Sequence, residues 1–178
     1  TGLAVRVAIN LSARQFHDPE LLPAIRGAVM DHDLPPAGLE LEITESVAMA
    51  DPESSLATLH ALKDMGFGLA IDDFGTGYSS LSYLKQLPLD KLKIDRSFVQ
   101  HMDTRGDDAT IVRSTIHLAH DLGMTVVAEG VESAEHAAML RDMGCECLQG
   151  FYYGRPAPAH TAVAVLPNAH GAVAPNRS

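Results

Sequence analysis

Cysteine is nearly absent from this chain: there are two, Cys145 and Cys147, in 178 residues. Two thiols separated by one residue cannot form a disulfide framework, and a reducing, cytoplasmic setting is the expectation. They could be half of a zinc site, but no second cysteine pair exists. Both are therefore expected as small buried residues. Positive charge is also scarce. Thirteen Lys and Arg face twenty-three Asp and Glu, a net charge of −10, which disfavours DNA and anionic membrane surfaces as partners. An acidic protein can still take a small phosphate ligand if metal ions supply the positive charge. No apolar run reaches the ~20 residues that span a bilayer, and no signal peptide opens the chain, so this piece predicts no membrane contact. Any membrane anchor is expected outside it.

With 46% hydrophobic residues the chain can bury one core. The stretch that organises the reading is Asp72-Asp73-Phe74-Gly75-Thr76-Gly77, directly after the apolar run Leu69-Ala70-Ile71. Adjacent carboxylates at the end of a buried strand disfavour joint ionisation unless a cation or donor lies between them. The glycines that follow allow a ligand close to the main chain. A plain turn is the competing reading, since Asp and Gly are common turn formers.

The surrounding pattern bears on that choice. Strands are predicted from Val5 to Ile9 and Leu39 to Ile43, and again from Lys91 to Ile94. Asp18-Pro19-Glu20 and Asp51-Pro52-Glu53 read as helix entries, with Asp as N-cap and Pro at the first helical position. Asp64-Met65-Gly66, Asp121-Leu122-Gly123 and Asp142-Met143-Gly144 each close a helix before a short strand. About six strands alternating with helices imply a parallel α/β sheet. Polar residues stand at the strand exits: Asn10, Glu42, Asp72 with Asp73, Lys93 with Asp95, Glu129 and Gln149. In a parallel sheet those exits share one edge, the edge where barrel active sites form. Hard oxygen donors there select Mg²⁺ or Mn²⁺, and none of the nine histidines falls at these exits, which argues against a zinc hydrolase. Alternation puts Glu40 with Glu42 on one face and Lys91 with Lys93 on another. These faces predict two stacked pairs, Glu40 with Lys91 (structural) and Glu42 with Lys93 (functional). From Ala157 onward no period is sustained, so residues 1–156 are expected as the domain and 157–178 as a loosely ordered tail.

Taken in order, Asn10-Leu11-Ser12, Glu42-Ile43-Thr44-Glu45, Asp72 through Ser80, Lys93-Ile94-Asp95, Glu129-Gly130-Val131-Glu132 and Gln149-Gly150-Phe151 resemble the EAL domain family of cyclic di-GMP phosphodiesterases. The resemblance implies a β/α (TIM-like) barrel that hydrolyses cyclic di-GMP to linear pGpG with two Mg²⁺ or Mn²⁺ ions. It implies Asn10, Glu42, Asp72, Asp73 and Glu129 as metal ligands. Glu129 would also hold or help deprotonate the attacking water, Lys93 would orient or stabilise the attacking hydroxide, and Gln149 would support the site. Glu45 would brace the loop after Asp73, which in that family also contributes to homodimer formation. Asp95 and Glu132 would stand next to the metals or the substrate. Sensory or GGDEF domains are expected elsewhere in a longer protein. The Glu-Ala-Leu motif that names the family is absent, so the barrel is expected to lack its first strands. Two other readings are weighed against this one: a cyclic di-GMP receptor without turnover, and a metal-dependent aldolase or isomerase on the same fold.

Overall fold

The computed structural model describes residues 6–77 and 80–158. Six strands form one parallel sheet in the order β1 to β6: β1 (Val7–Asn10), β2 (Leu39–Thr44), β3 (Gly68–Phe74), β4 (Lys91–Ile94), β5 (Thr125–Ala128) and β6 (Cys147–Leu148). The helices between them are α1 (Ala13–Phe16), α2 (Leu21–Asp31), α3 (Glu45–Ala50), α4 (Pro52–Asp64), α5 (Leu81–Leu84), α6 (Arg96–Val99), α7 (Gly106–Asp121) and α8 (Ala134–Asp142). Parallel neighbours need crossover connections, and the long helices supply them. This is the parallel sheet with helical cover expected from the strand–helix cadence and the partial β/α barrel that the resemblance implies, curled but open, since β1 and β6 do not pair with each other among the described residues.

Alternation along the strands divides two environments. Leu41, Ile43, Leu69, Ile71, Leu92, Ile94, Val126 and Ala128 are buried in one cluster with Leu59, Leu62, Val112, Ile116 and Leu140 of the helices. The intervening positions, Glu40, Glu42, Lys91 and Lys93, point to the other face.

The helix signals act largely as expected. Asp51 caps α4 by accepting from the Ser54 amide at 3.3 Å, with Pro52 in the first turn. Gly66, Gly123 and Gly144 follow α4, α7 and α8 with φ of 93°, 76° and 88°, a conformation costly for any residue with a Cβ. Asp18 behaves differently. Its carboxylate accepts from the amide of Glu20 two residues on, closing a local turn, so α2 begins only at Leu21. The short helices α1, α3, α5 and α6 span about one turn each and carry no readable period. Val5 and residues 159–178, most of the expected tail, lie outside the described residues, as do Tyr78 and Ser79.

One expectation fails. Cys145 is buried, but Cys147 is exposed, because β6 is an edge strand of two residues. Burial pushes the Cys145 thiol up to about 11, and its Sγ donates to the carbonyl of Cys147 at 3.3 Å. A thiol-specific reagent at neutral pH is expected to modify Cys147 alone in the folded chain and both cysteines in denaturant. Mass spectrometry of the labelled chain reads this directly, and two labels under native conditions would contradict the burial.

Among the described residues no helix is long and apolar enough to cross a membrane.

Candidate active site

The polar strand exits meet at the C-terminal edge of the sheet. Asn10 pairs in register with Glu42, and Thr44 with Asp72, so the exits of the first three strands stand side by side. On β3 the chain departs from regular pairing between Ile71 and Phe74. Asp73 there takes a φ of 54°, unusual for a residue with a side chain. In a flat strand adjacent side chains point to opposite faces. The irregularity cancels that alternation, as bulges next to active sites commonly do. As a result carboxylate oxygens of Asp72, Asp73 and Glu129 lie within 4.8 Å of one another.

Lys93 stands opposite this bulge on β4. Its Nζ is 2.8 Å from Glu42, 2.9 Å from Asp72 and 2.7 Å from Glu129, while the residue is only 5% exposed. Burial acts to lower the ammonium pKa, but the hydrogen bonds to Glu129, Glu42 and Asp72 outweigh it, and the net direction is upward. One cation thus serves three carboxylates, leaving each carboxylate short of positive charge. Burial raises Glu129 from its usual value, Lys93 offsets part of this, and Asp72 and Glu42 add to it. Asp73 is raised by burial first, then by the charges of Asp72 and Asp95. A cluster with more negative than positive charge at the end of a sheet has room, electrostatically, for added cations.

Below this layer the second expected pair is present. Lys91 Nζ lies 2.7 Å from the Glu40 carboxylate, which Arg6 also approaches at 3.5 Å.

The remaining residues fall around the cluster. Glu45, the first residue of α3, is buried, and its Oε2 accepts from the Gly75 amide at 2.8 Å. A Cβ at Gly77 would approach Glu45 Oε1 to 3.0 Å, so the loop after β3 folds closely over this carboxylate. Glu45 therefore holds the loop and is not part of the acidic cluster. Asn10 is exposed at the end of β1. Asp95 caps α6, accepting from the Ser97 amide at 2.9 Å. Glu132 accepts from Gln100 Nε2 at 3.0 Å. Gln149 lines a pocket of about 170 Å³ with Arg96, Gln100, Glu129, Glu132 and Phe151. The sequence reading passed over Arg96, Gln100 and Phe98. The only available signal was their place directly after the Lys93-Ile94-Asp95 exit, since their partners come from distant segments.

The family model described as the EAL domain matches residues 2–156. The bifunctional diguanylate cyclase/cyclic di-GMP phosphodiesterase MucR of Pseudomonas aeruginosa is 49% identical over 158 residues, covering 89% of this chain and 23% of that protein. Among solved structures, the PaMucR phosphodiesterase in complex with c-di-GMP matches with a TM-score of 0.86 at 48% identity, covering 88% of this chain and 64% of that one. The manganese/cyclic di-GMP complex of Klebsiella pneumoniae BlrP1 matches with a TM-score of 0.78 at 37% identity, covering 85% of this chain and 39% of that one. The chain thus spans less than a quarter of the curated relative's length.

Proposed function

This chain belongs to the EAL domain family, and from that premise we propose that it carries the metal-dependent hydrolysis of cyclic di-GMP to linear pGpG. The observation that supports this reading most is the convergence of Asp72, Asp73 and Glu129 within 4.8 Å, beside Lys93. The donor set fits a hard divalent cation. It is all oxygen, carries excess negative charge, and contains no histidine or thiolate. Asn10, Glu42, Asp72, Asp73 and Glu129 are the residues that would hold Mg²⁺ or Mn²⁺. Bound there, such ions would neutralise the phosphodiester and acidify the attacking water.

The chain's own groups supply the rest. Glu129, its carboxyl raised by burial, accepts a proton from the water as the water oxygen bonds to phosphorus, and the phosphoester bond that breaks leaves its electron pair on the departing sugar oxygen, which takes up a proton from solvent. Lys93 keeps its charge and steadies the negative charge that gathers on the phosphoryl oxygens. Glu45 keeps the loop after β3 folded against the site. Gln149 and Glu132 line the adjoining pocket and bear on the substrate beyond the scissile bond, and Asp95 fixes the entry of α6 beside Asp73. A second copy of the chain is the partner proposed for the loop after β3. Sensory or GGDEF segments in a longer, cytoplasmic protein would complete the assembly.

The test is incubation of cyclic di-GMP with the folded chain and Mn²⁺, with products separated by chromatography. pGpG formation that stops on adding a chelator is the expected result. Binding without any product would instead favour a receptor that does not turn its ligand over.

A further inference from the structure

Two segments bring the acidic cluster together, the end of β3 that holds Asp73 and runs into the loop after it, and the loop after β5 that holds Glu129. A single short segment, residues 95–103, lies between them and touches both. On the first side, Asp95 is near enough to Asp73 for its charge to help raise that carboxyl, and it caps α6 by accepting from the Ser97 amide. Further along that loop, a Cβ on Gly75 would lie 3.0 Å from the ring of Phe98, and Gly75 has a φ of 98°. Phe98 therefore fills the space that the missing side chain leaves.

The second side is equally close. Gly130 packs on Arg96 so tightly that an added Cβ would come within 2.5 Å of the arginine Cβ. Gln100 donates to Glu132 at 3.0 Å. One turn on, Asp103 Oδ1 lies 3.6 Å from Nε2 of the buried His136 in α8. The segment itself is anchored, since Val99 is 0% and Met102 2% exposed. Behind the second loop, Val131 donates to the Gln149 carbonyl at 3.0 Å, and a Cβ on Gly150 would collide with the Val131 carbonyl at 2.1 Å.

We infer that residues 95–103 act as a strut that couples the two loops, with Phe98 and Gln100 as its positioning residues. The close contacts of Phe98 on Gly75 and of Arg96 on Gly130 leave no free volume to absorb a displacement and so pass it on, and the Gln100–Glu132 hydrogen bond ties the two sides beside the pocket. A movement of the loop after β3 therefore shifts Phe98, the segment behind it, and through Gln100 the loop that carries Glu129. The regulatory meaning of this strut rests on the proposed function, because only there do both loops serve one reaction. The contacts themselves do not depend on it. The physical warrant for such coupling is a response at one loop to a change made at the other.

Hydrogen exchange on this chain provides that test. Gln100→Glu places a second carboxylate against Glu132, whereas Gln100→Lys replaces the hydrogen bond with an ion pair. The Gly75 amide is bonded to Glu45 and the Thr76 amide to the Asp73 carbonyl, so the distant loop has protected amides to read. Gln100→Glu is expected to speed exchange at residues 73–77 by about fivefold, the effect of roughly 1 kcal/mol. Gln100→Lys is expected to leave it at the wild-type rate, and the buried amides of residues 69–71 serve as the control for global opening. Phe98→Leu, made from the other side, is expected to speed exchange at residues 129–132. Faster exchange confined to the mutated side in both variants would overturn the strut. In hydrolysis assays the same Gln100→Glu variant is expected to lose kcat with KM held. A wild-type chain without any hydrolysis would remove the functional reading and leave the exchange result standing on its own.

Discussion

Replacing Lys93 with methionine is expected to cost the metal-free chain about 3–5 kcal/mol of folding stability, the range for removing one partner of a buried ion pair. Urea denaturation of the two chains in the presence of a chelator measures it. The size follows from the surroundings. Lys93 is 5% exposed and is within 2.9 Å of Glu42, Asp72 and Glu129, so its loss leaves three carboxylates facing one another without a cation. Methionine fills much of the same volume, which makes the lost charge the main change. The second half of the expectation concerns Mn²⁺. Lys93 competes with an added cation for the same oxygens, so Mn²⁺ is expected to raise the denaturation midpoint of the variant more than that of the wild type. Hydrolysis of cyclic di-GMP by the variant is expected to disappear even with Mn²⁺ present, for want of the ammonium. An equal Mn²⁺ effect on the two chains would show that Lys93 and the metal do not share ligands.

The ladder behind this expectation was readable from the sequence. Glu40, Glu42, Lys91 and Lys93 alternate with Leu, and period-two alternation is a property of the strand alone. The strand exits were readable for a similar reason. A parallel sheet puts its carboxyl ends on one edge whatever the details of packing, so Glu42, Asp72, Lys93, Glu129 and Gln149 had to stand along that one edge. What could not be read is how adjacent Asp72 and Asp73 serve one site. A regular strand would send them to opposite faces. The answer lies in the irregular pairing of β3 with β4 and the positive φ of Asp73, which a regular alternation does not encode. Cys147 was misplaced because burial there depends on whether a further strand covers β6, which alternation does not encode. The role of Gln100 was equally hidden, since its partner Glu132 is 32 residues away and its own neighbours carry no charge pattern.

Asp72→Asn is expected to give the opposite profile to Lys93→Met, and the contrast separates a functional cluster from a structural one. The carboxylate of Asp72 is a Lys93 partner at 2.9 Å, but it also raises the pKa of both Asp73 and Glu129 by its charge. Removing that charge weakens one charge-assisted hydrogen bond and relieves two repulsions. The amide oxygen remains able to accept from Lys93. The metal-free stability is therefore expected to change by no more than about 1 kcal/mol in either direction. Function should fare differently. The amide is a poorer ligand for a hard cation than the carboxylate, and the cluster loses charge as well as a donor. Even groups that only support a metal ligand cost about 10–100-fold when lost. Hydrolysis by the variant is thus expected to fall by more than about a hundredfold, with the midpoint shift induced by Mn²⁺ greatly reduced. Parallel denaturation and turnover measurements on one preparation check both sides. Large destabilisation with activity retained in the folded fraction would mean that Asp72 serves the fold and that the metal is held elsewhere. Unchanged stability with activity lost would place the cost of an acid-rich strand exit where the proposed chemistry needs it, in the binding of cations that the folded chain does not itself supply.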